Sequence, residues 1–307
     1  MEPMHVLVSL HKGYGLGDAV QVSSVLQHIA KYKKGWTVDF QAEEGRHCVG
    51  RGIVANIFAF GTPYPHTHYD AECEILLFDT WYNWHDRPNT RVSSCLQERF
   101  GLDWDAECGR YQVYISEKST EAARTLLSGW SGCHRGVGHY SRTIRHVAIH
   151  YDGDSCPEKK NLTNSQADKI CQAVEKLRYE PVILDWRKRS PLGHRKITTP
   201  EQWGGDAEMV CAVISQCAAF VCIDCGPDMC ASATNTPALV VWTGHHPAPF
   251  HDPAPNTTHL VPSGYHDFKP VCNNRGVVDW FDAHYNVRQY EKDPAGEICV
   301  WLKEVLG

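Results

Sequence analysis

The sequence predicts an α/β fold with two Rossmann-like domains, because the order strand, loop, helix, strand starts twice along the chain. The first start is the apolar run His5–Ser9, and the second is the run Arg145–His150. Strands that alternate with helices at this spacing form parallel sheets with right-handed crossovers, and a second start indicates a second sheet. We therefore expect domains over residues 1–140 and 141–307 that face each other across a central cleft.

The first domain opens with a strand and a glycine-rich turn. The strand His5–Ser9 leads into the turn Leu10–Gly17, and the strand Trp36–Phe40 completes the unit. Between them a helix is predicted over Asp18–Lys33, because apolar side chains recur there at helical spacing. These side chains are Val20, Val22, Val25, Leu26 and Ile29.

The second domain repeats this order in two units. The first unit consists of the strand Arg145–His150, the loop Tyr151–Leu162, the helix Asn164–Arg178 and the strand Pro181–Asp185. The second consists of the helix Asp206–Cys217, the strand Ala219–Ile223, the turn Asp224–Pro227, the helix Asp228–Thr234 and the strand Ala238–Trp242. Residues 129–143 are too rich in glycine for the interior of an element, so we expect them to join the domains.

The composition excludes several classes of protein. A chain of 307 residues that is 42% hydrophobic can form two cores. Its net charge of −6 argues against a broad basic surface for nucleic acid and leaves room only for a local basic cleft. The N-terminus carries Glu2 and Pro3 where a signal peptide needs basic residues, and the apolar runs are far shorter than the roughly 20 residues of a membrane span. We expect a cytoplasmic protein.

Fourteen cysteines are the unusual feature of the composition. Without an export signal, reduced thiols are expected. Cys222 and Cys225 have the two-residue spacing of a metal or redox motif, but the sequence has no second pair of this kind, so structural thiols are favoured over a metal or redox site. The histidines form no HExxH pattern. We expect neither a metal nor another cofactor.

Four segments are predicted to line the cleft. Ligands of open parallel sheets bind outside the carboxyl ends of the strands. The segments that follow strands at this edge are Leu10–Asp18, Tyr151–Leu162, Asp224–Met229 and Thr243–His246. The functional residues are therefore expected in these loops.

Gly15, Gly17 and Asp18 place a carboxylate where the first helix begins. Position 20 is valine where the dinucleotide fingerprint has its third glycine, so NAD binding is not predicted. Asp18 has two interpretations at this stage. It is either an N-cap that accepts backbone N–H groups or a general base that faces the cleft.

Asp224-Cys225-Gly226-Pro227 lies between a strand and a helix. Free N–H groups at such a helix start can hold a phosphate, although an ordinary strand-to-helix turn has the same pattern. The charge of Asp228 counts against a phosphate site unless its side chain caps the helix. In the opposite loop, Lys160 either pairs with a diphosphate or stays in solvent.

An aromatic segment in the first domain is a candidate binding surface. Trp81, Tyr82 and Trp84 are followed by His85 and Asp86. Such aromatics either pack in the core or stack on a sugar or a base.

These segments together resemble glycosyltransferase family 9, the ADP-heptose:lipopolysaccharide heptosyltransferase-like group with the GT-B fold. Gly17-Asp18 resembles the opening helix of that family, and Lys160-Asn-Leu-Thr its Lys-x-Trp-Pro segment. Asp224-Cys-Gly-Pro-Asp-Met229 resembles its Asp-Thr/Ser-Gly-Pro-x-His signature, with methionine in place of histidine. The resemblance implies a GT-B fold, an N-terminal acceptor-binding domain and a C-terminal nucleotide-sugar-binding domain.

The resemblance also implies roles for individual residues. It implies that Asp18 is the catalytic base. The residues expected to bind the donor are Lys160, Asp185, Asp224, Cys225, Gly226, Pro227, Met229, Thr243 and Gly244. The residues expected to bind the acceptor are Lys12, Tyr14, Trp81, Tyr82, Trp84 and His85.

The expected activity is an inverting, metal-independent transfer of a sugar from a nucleotide diphosphate to a hydroxyl of a saccharide or glycolipid. Three alternatives stay open: transfer to hydroxymethylated bases in DNA, a sugar-nucleotide epimerase, and a non-catalytic nucleotide-sugar-binding protein. The DNA alternative makes DNA a further partner. It rests on stacking by the aromatic segment and on a group of cations near the domain junction, which are Arg135, His139, Arg142, Arg145 and His146.

Overall fold

Two parallel sheets form the framework of the protein. The computed structural model describes residues 3–62, 68–77, 90–128, 145–153, 156–185, 188–198, 206–268 and 275–307. Within these residues, one sheet has four strands in the order β3-β2-β1-β4, and the other has seven in the order β11-β10-β9-β8-β5-β6-β7. Every recorded strand pairing is parallel.

The strands are β1 (Met4–Leu10), β2 (Trp36–Ala42), β3 (Asn56–Ala59), β4 (Ala71–Ile75), β5 (His146–His150), β6 (Glu180–Asp185), β7 (Arg195–Thr198), β8 (Ala219–Ile223), β9 (Ala238–Val241), β10 (Thr257–Pro262) and β11 (Asn286–Tyr290). The α-helices are α1 (Leu16–Tyr32), α2 (Arg91–Cys95), α3 (Glu117–Ser128), α4 (Pro157–Lys160), α5 (Asn164–Lys176), α6 (Ala207–Ser215), α7 (Gly226–Thr234), α8 (Arg275–His284) and α9 (Pro294–Leu306).

The predicted fold class is confirmed, and the predicted strands are those that carry continuous apolar runs. All residues of β5, β8 and β9 are buried, because helices cover both faces of the larger sheet. The strands that the sequence did not predict are β3, β4, β7, β10 and β11; β10 lies between β9 and β11, and the other four are edges of their sheets. An edge strand faces solvent on one side, so it needs no continuous apolar run.

Two helices of the cleft begin two residues earlier than predicted. α1 begins at Leu16 and α7 at Gly226, so Asp18 and Asp228 lie in the first turns of their helices. In α7 the extended Cys225 is the N-cap, and Pro227 follows in the first turn. Proline fits this position because a first-turn N–H has no partner within the helix.

The two halves of the chain share one apolar core. A continuous cluster of buried side chains runs from β1 and α1 to α6 and β8. α3 lies before the predicted domain boundary, yet it packs against α6 of the second half. The predicted junction at residues 129–143 lies outside the described residues.

An ion pair also joins the halves. The Glu208 carboxylate on α6 accepts a hydrogen bond from Arg51 Nη1 at 2.8 Å, from the backbone N–H of Ser116 at 2.9 Å and from Ser119 Oγ at 2.8 Å. Burial would raise the pKa of Glu208, but the bonds from Ser116 and Ser119 outweigh it and lower the pKa. Since these partners come from the first 128 residues, they fix the first half against α6.

Within the described part of the chain, none of the helices combines the length and the apolar character that crossing a bilayer requires.

Candidate active site

A cavity of about 420 Å³ lies where the carboxyl ends of the two sheets meet. The first half of the chain contributes the start of α1, with Gly15, Gly17, Asp18 and Gln21, and adds Arg91 from α2. This is the edge at which parallel sheets bind ligands.

The second half of the chain closes the other side of the cavity. Its lining includes His150 at the end of β5, Lys160 at the end of α4, and the segment 224–227. Met229 and Phe250 also line it. Of the predicted cleft segments, 10–18, 151–162 and 224–229 therefore contribute to a single cavity.

Gly17 and Gly226 let the first turns of α1 and α7 touch. A Cβ on Gly226 would lie 2.9 Å from Gly17 N and 2.9 Å from Leu16 Cβ, and a Cβ on Gly17 would lie 3.1 Å from Gly226 Cα. The sequence suggested that glycine at 226 admits a phosphate, whereas the structure places the backbone of α1 against it. Two positive helix ends consequently converge on the cavity.

Asp18 projects from the first turn of α1 and makes two contacts. Its Oδ2 accepts the backbone N–H of Gly15 at 3.1 Å, and its Oδ1 accepts Arg91 Nη1 at 2.7 Å. The side chain keeps 26% of its surface exposed. The N-cap of α1 is Gly15, so the N-cap interpretation of Asp18 is wrong: Asp18 is the third residue of the helix, and its carboxylate accepts the N–H of the N-cap while it lines the cavity.

Lys160 and Asp224 form an ion pair on the side of the cavity that the second half of the chain provides. Lys160 Nζ lies 2.6 Å from Asp224 Oδ2, and both side chains are mostly buried. Burial alone would lower the pKa of Lys160, but the Asp224 carboxylate outweighs it and raises the pKa. The ammonium group is therefore charged and fixed, with donors left for a ligand.

Asp228 turns away from the cavity. It is fully buried, and its Oδ2 accepts the backbone N–H of Cys225 at 3.4 Å. Burial raises the pKa of Asp228 well above its usual range. The carboxyl therefore caps α7 instead of opposing an anion at its start.

The remaining residues predicted to bind the donor have other contacts. Asp185 accepts the backbone N–H groups of Arg189 at 2.9 Å and Ser190 at 3.0 Å, which holds the loop after β6. Thr243 Oγ1 donates to the carbonyl of Lys159, and Gly244 lies beside the same lysine. None of these three is among the residues found to line the cavity in the described part of the chain.

Of the residues predicted to bind the acceptor, Lys12 and Tyr14 lie in the described chain. Lys12 Nζ lies 5.1 Å from the centre of the Phe60 ring. Tyr14 Oη accepts the backbone N–H of Leu77 at 2.6 Å, and burial raises the pKa of Tyr14. Trp81, Tyr82, Trp84 and His85 lie outside the described residues.

Sequence reasoning missed four side chains of the cavity: Gln21, Arg91, His150 and Phe250. Gln21 Nε2 donates to the Phe250 carbonyl and to Met229 Sδ at 3.6 Å, so it links the two halves in the wall of the cavity. His150 is the last residue of β5, and the rule that ligands bind at carboxyl ends could have identified it. Arg91 carries no comparable sequence signal.

The described cysteines are free thiols, including Cys222 and Cys225. Among the residues that the structure describes, no three histidine, cysteine, aspartate or glutamate side chains are grouped to hold a metal ion.

Comparison with known proteins supports the fold. No protein-family model matches the sequence, and no curated protein matches it. A solved structure of a glycosyl transferase family 9 protein from Veillonella parvula superposes with a TM-score of 0.67 at 11% identity, covering 100% of this chain and 98% of that one.

Two structures from E. coli are also similar. ADP-heptose LPS heptosyltransferase II has a TM-score of 0.59 at 13% identity and covers 99% of this chain and 98% of its own. Heptosyltransferase WaaC with ADP has a TM-score of 0.56 at 10% identity, with 98% and 100% coverage. At these identities the likeness establishes a two-domain architecture like that of these enzymes, and the predicted GT-B fold is confirmed.

Proposed function

We propose that the protein transfers a sugar from a nucleotide-diphosphate donor to an acceptor hydroxyl, with inversion and without a divalent metal. The observation that carries this proposal is the cavity itself. From the first half of the chain the cavity receives the Asp18 carboxylate. From the second half it receives the fixed ammonium group of Lys160 and the N-terminus of α7. A base and an anion-stabilising group are the two requirements of a single displacement at the anomeric carbon.

The donor diphosphate fits the end of the cavity formed by the second half. Lys160 gives one N–H to Asp224 and keeps two for phosphate oxygens. The start of α7 adds its positive helix end, and Asp228 is turned inward and does not oppose an anion there. These groups stabilise the charge that develops on the leaving diphosphate, the task that other glycosyltransferases give to a divalent metal.

The acceptor hydroxyl fits beside Asp18. Arg91 and the Gly15 N–H orient the carboxylate, and its exposed surface faces the cavity. The carboxylate takes the proton as the hydroxyl attacks. Inversion follows because one displacement needs one base and no nucleophile from the protein.

A saccharide or glycolipid hydroxyl is favoured over a DNA base as acceptor. Arg145 and His146 stand at the amino end of β5, while the cavity lies at its carboxyl end, about 13 Å away at a rise of roughly 3.3 Å per residue. His146 is also buried and lies 3.1 Å from Glu180. Two of the cations that suggested DNA therefore do not border the cavity, which corrects the sequence interpretation. Arg135, His139 and Arg142 lie outside the described residues.

The first test is the binding of nucleoside diphosphates, measured by thermal shift and calorimetry. We expect at least one of ADP, UDP, GDP and dTDP to bind without added metal and in the presence of a chelator. Replacing Lys160 with alanine should weaken that binding about 10–100-fold, since a hydrogen bond to a charged group contributes about 1.5–3 kcal/mol.

Lys159→Ala is the matched control, because the neighbouring lysine is exposed and is not among the residues found to line the cavity. The affinity of this variant for the nucleoside diphosphate should equal that of the unaltered protein. Equal losses in the two variants would reject the role of Lys160, and the absence of any nucleotide binding would reject the proposed function.

The second test is turnover with the matching sugar nucleotides. Release of the diphosphate with a saccharide acceptor, and an inverted anomeric centre in the product by NMR, would support transfer. A new sugar on DNA that contains hydroxymethylcytosine would favour the DNA alternative. Interconversion of the donor without an acceptor would indicate an epimerase, and binding without turnover of any donor would indicate a non-catalytic protein.

A further inference from the structure

His150 and Cys225, which line the cavity, form a group with the buried Cys222 that the proposed sugar transfer does not use. Cys225 is partly exposed and lines the cavity as the N-cap of α7. The side chains of His150 and Cys222 both hydrogen-bond to it. His150 and Cys222 are buried at the ends of neighbouring strands β5 and β8, where they pair in register. The arrangement is a thiol with a histidine on one side and a second thiol on the other.

The surroundings of His150 make it a base for this thiol. Its Nδ1 lies 2.8 Å from the carbonyl oxygen of Leu184, which can only accept a hydrogen bond. Nδ1 must therefore carry a proton, and in the neutral ring Nε2 is the basic nitrogen left for Cys225. A cysteine paired in this way with a fixed imidazole gives up its proton to form the reactive thiolate.

The local electrostatics agree with this geometry. Burial would raise the pKa of Cys225, but the Cys222 thiol and the His150 ring outweigh it and bring the pKa to about 6. Burial raises the pKa of Cys222 well above its usual range. The Cys225 thiol is thus the more acidic of the two, and Cys222 is the partner that keeps its proton.

We propose that Cys225 is a modification site, at which a hydroperoxide oxidises the thiolate and Cys222 then closes a disulfide. The oxidant is hydrogen peroxide or a small organic hydroperoxide that enters through the cavity. The proposal does not depend on the proposed function, because the pairing of the three side chains is the only premise.

The chemistry balances in two steps. The Cys225 thiolate attacks the terminal peroxide oxygen, the O–O bond breaks, and the His150 imidazolium gives its proton to the leaving group. Hydroxide leaves from hydrogen peroxide and becomes water, an alkoxide leaves from an organic hydroperoxide and becomes an alcohol, and Cys225 becomes a sulfenic acid. The Cys222 sulfur then attacks the Cys225 sulfur, the S–O bond breaks, and the Cys222 thiol proton leaves with the hydroxyl as water. The two sulfurs lose two electrons, and the peroxide gains them.

The first experiment measures the rate at which iodoacetamide alkylates Cys225 as a function of pH, by mass spectrometry, with N-acetylcysteine as reference. An ordinary thiol with a pKa of about 8.5 reacts on the order of 100-fold faster at pH 8.5 than at pH 6, because its thiolate fraction grows by that factor. The alkylation rate of Cys225 should change only about twofold between these two pH values. His150→Asn should restore a steep dependence.

The second experiment treats the protein with hydrogen peroxide. The intact protein should lose two hydrogens, and peptide mapping should link Cys222 to Cys225. Cys222→Ser should instead stop at a sulfenic acid that dimedone traps on Cys225, and dithiothreitol should reverse the disulfide in the unaltered protein.

The unaltered protein alone can overturn the proposal, even where a variant fails to fold. A pH profile of Cys225 that matches N-acetylcysteine would show that no thiolate is stabilised. Peroxide treatment that leaves both residues reduced, or that oxidises other cysteines first, would reject the modification site. Neither result bears on sugar transfer, which is measured separately.

Discussion

The contact between Gly17 and Gly226 gives a sharp test of how the two halves of the chain fit together. In Gly226→Ala the new Cβ would lie 2.9 Å from Gly17 N and 2.9 Å from Leu16 Cβ. These neighbours are a backbone nitrogen and the first side-chain carbon of a buried residue, which cannot rotate away. The first turns of α1 and α7 must separate, or the new methyl group is strained.

The magnitude follows from two opposing effects. Overpacking of this kind costs about 1–3 kcal/mol. Replacing glycine by alanine in a helix stabilises the folded state by up to about 1 kcal/mol. We expect a net loss of about 1–2 kcal/mol, which lowers the melting temperature by roughly 2–6 °C in a chain of this size.

Two other glycines are the matched controls. Gly17→Ala should destabilise the protein less than Gly226→Ala, since its Cβ would lie 3.1 Å from one backbone atom, Gly226 Cα, and 3.3 Å from the flexible Met229 side chain, whereas a Cβ on Gly226 meets two fixed atoms at 2.9 Å. Gly296→Ala lies in the first turn of α9 with no atom near its Cβ, so it should stabilise the protein slightly.

Thermal unfolding and the affinity for nucleoside diphosphate are the assays. Gly226→Ala should lower both, because the separated helices widen the cavity. If Gly226→Ala melts at the same temperature as Gly296→Ala, the two halves do not meet at this contact and the packing argument is wrong.

Two further predictions concern carboxyl groups. Asp18→Asn should lower the rate of sugar transfer about 10²–10⁴-fold with the diphosphate dissociation constant unchanged, since it removes the base but keeps the cap; residual activity above a tenth would refute the role. Burial raises the pKa of Asp252 to about 7, above its value of 3.8 in the unfolded chain. The folded protein therefore binds the proton more tightly, and the stability that this provides is full below pH 4 and is lost as the pH rises to 7. Asp252→Asn should therefore raise the free energy of unfolding at pH 8 by up to about 4 kcal/mol and leave it nearly unchanged at pH 4, as urea titrations at the two pH values can show; an equal effect at both would contradict the assignment.

The glycosyltransferase-like fold could be predicted because its signals are local. The buried strands β5, β8 and β9 are apolar along their whole length, and α1 shows its helical spacing within one stretch of 17 residues. The edge strands have no such signal, since one side of each meets solvent.

Three of the four loops predicted from the sequence line the cavity, because the order of strands and helices dictates which loops leave the carboxyl edges; the fourth, Thr243–His246, is not among the lining residues of the described chain. The sequence by itself placed Asp18, Lys160 and Asp224 in those loops and identified the paired thiols Cys222 and Cys225 by their spacing.

The contacts that these residues make depend on the tertiary structure. Arg91 is 73 positions from Asp18, and Gly226 is 209 positions from Gly17 (226 − 17), yet both pairs meet at the cavity. Cys225 meets His150 in the same way, through the pairing of β5 with β8. Residue spacing predicts local structure over a few turns of a helix or the length of one strand. These contacts depend instead on how two sheets pack across a shared core.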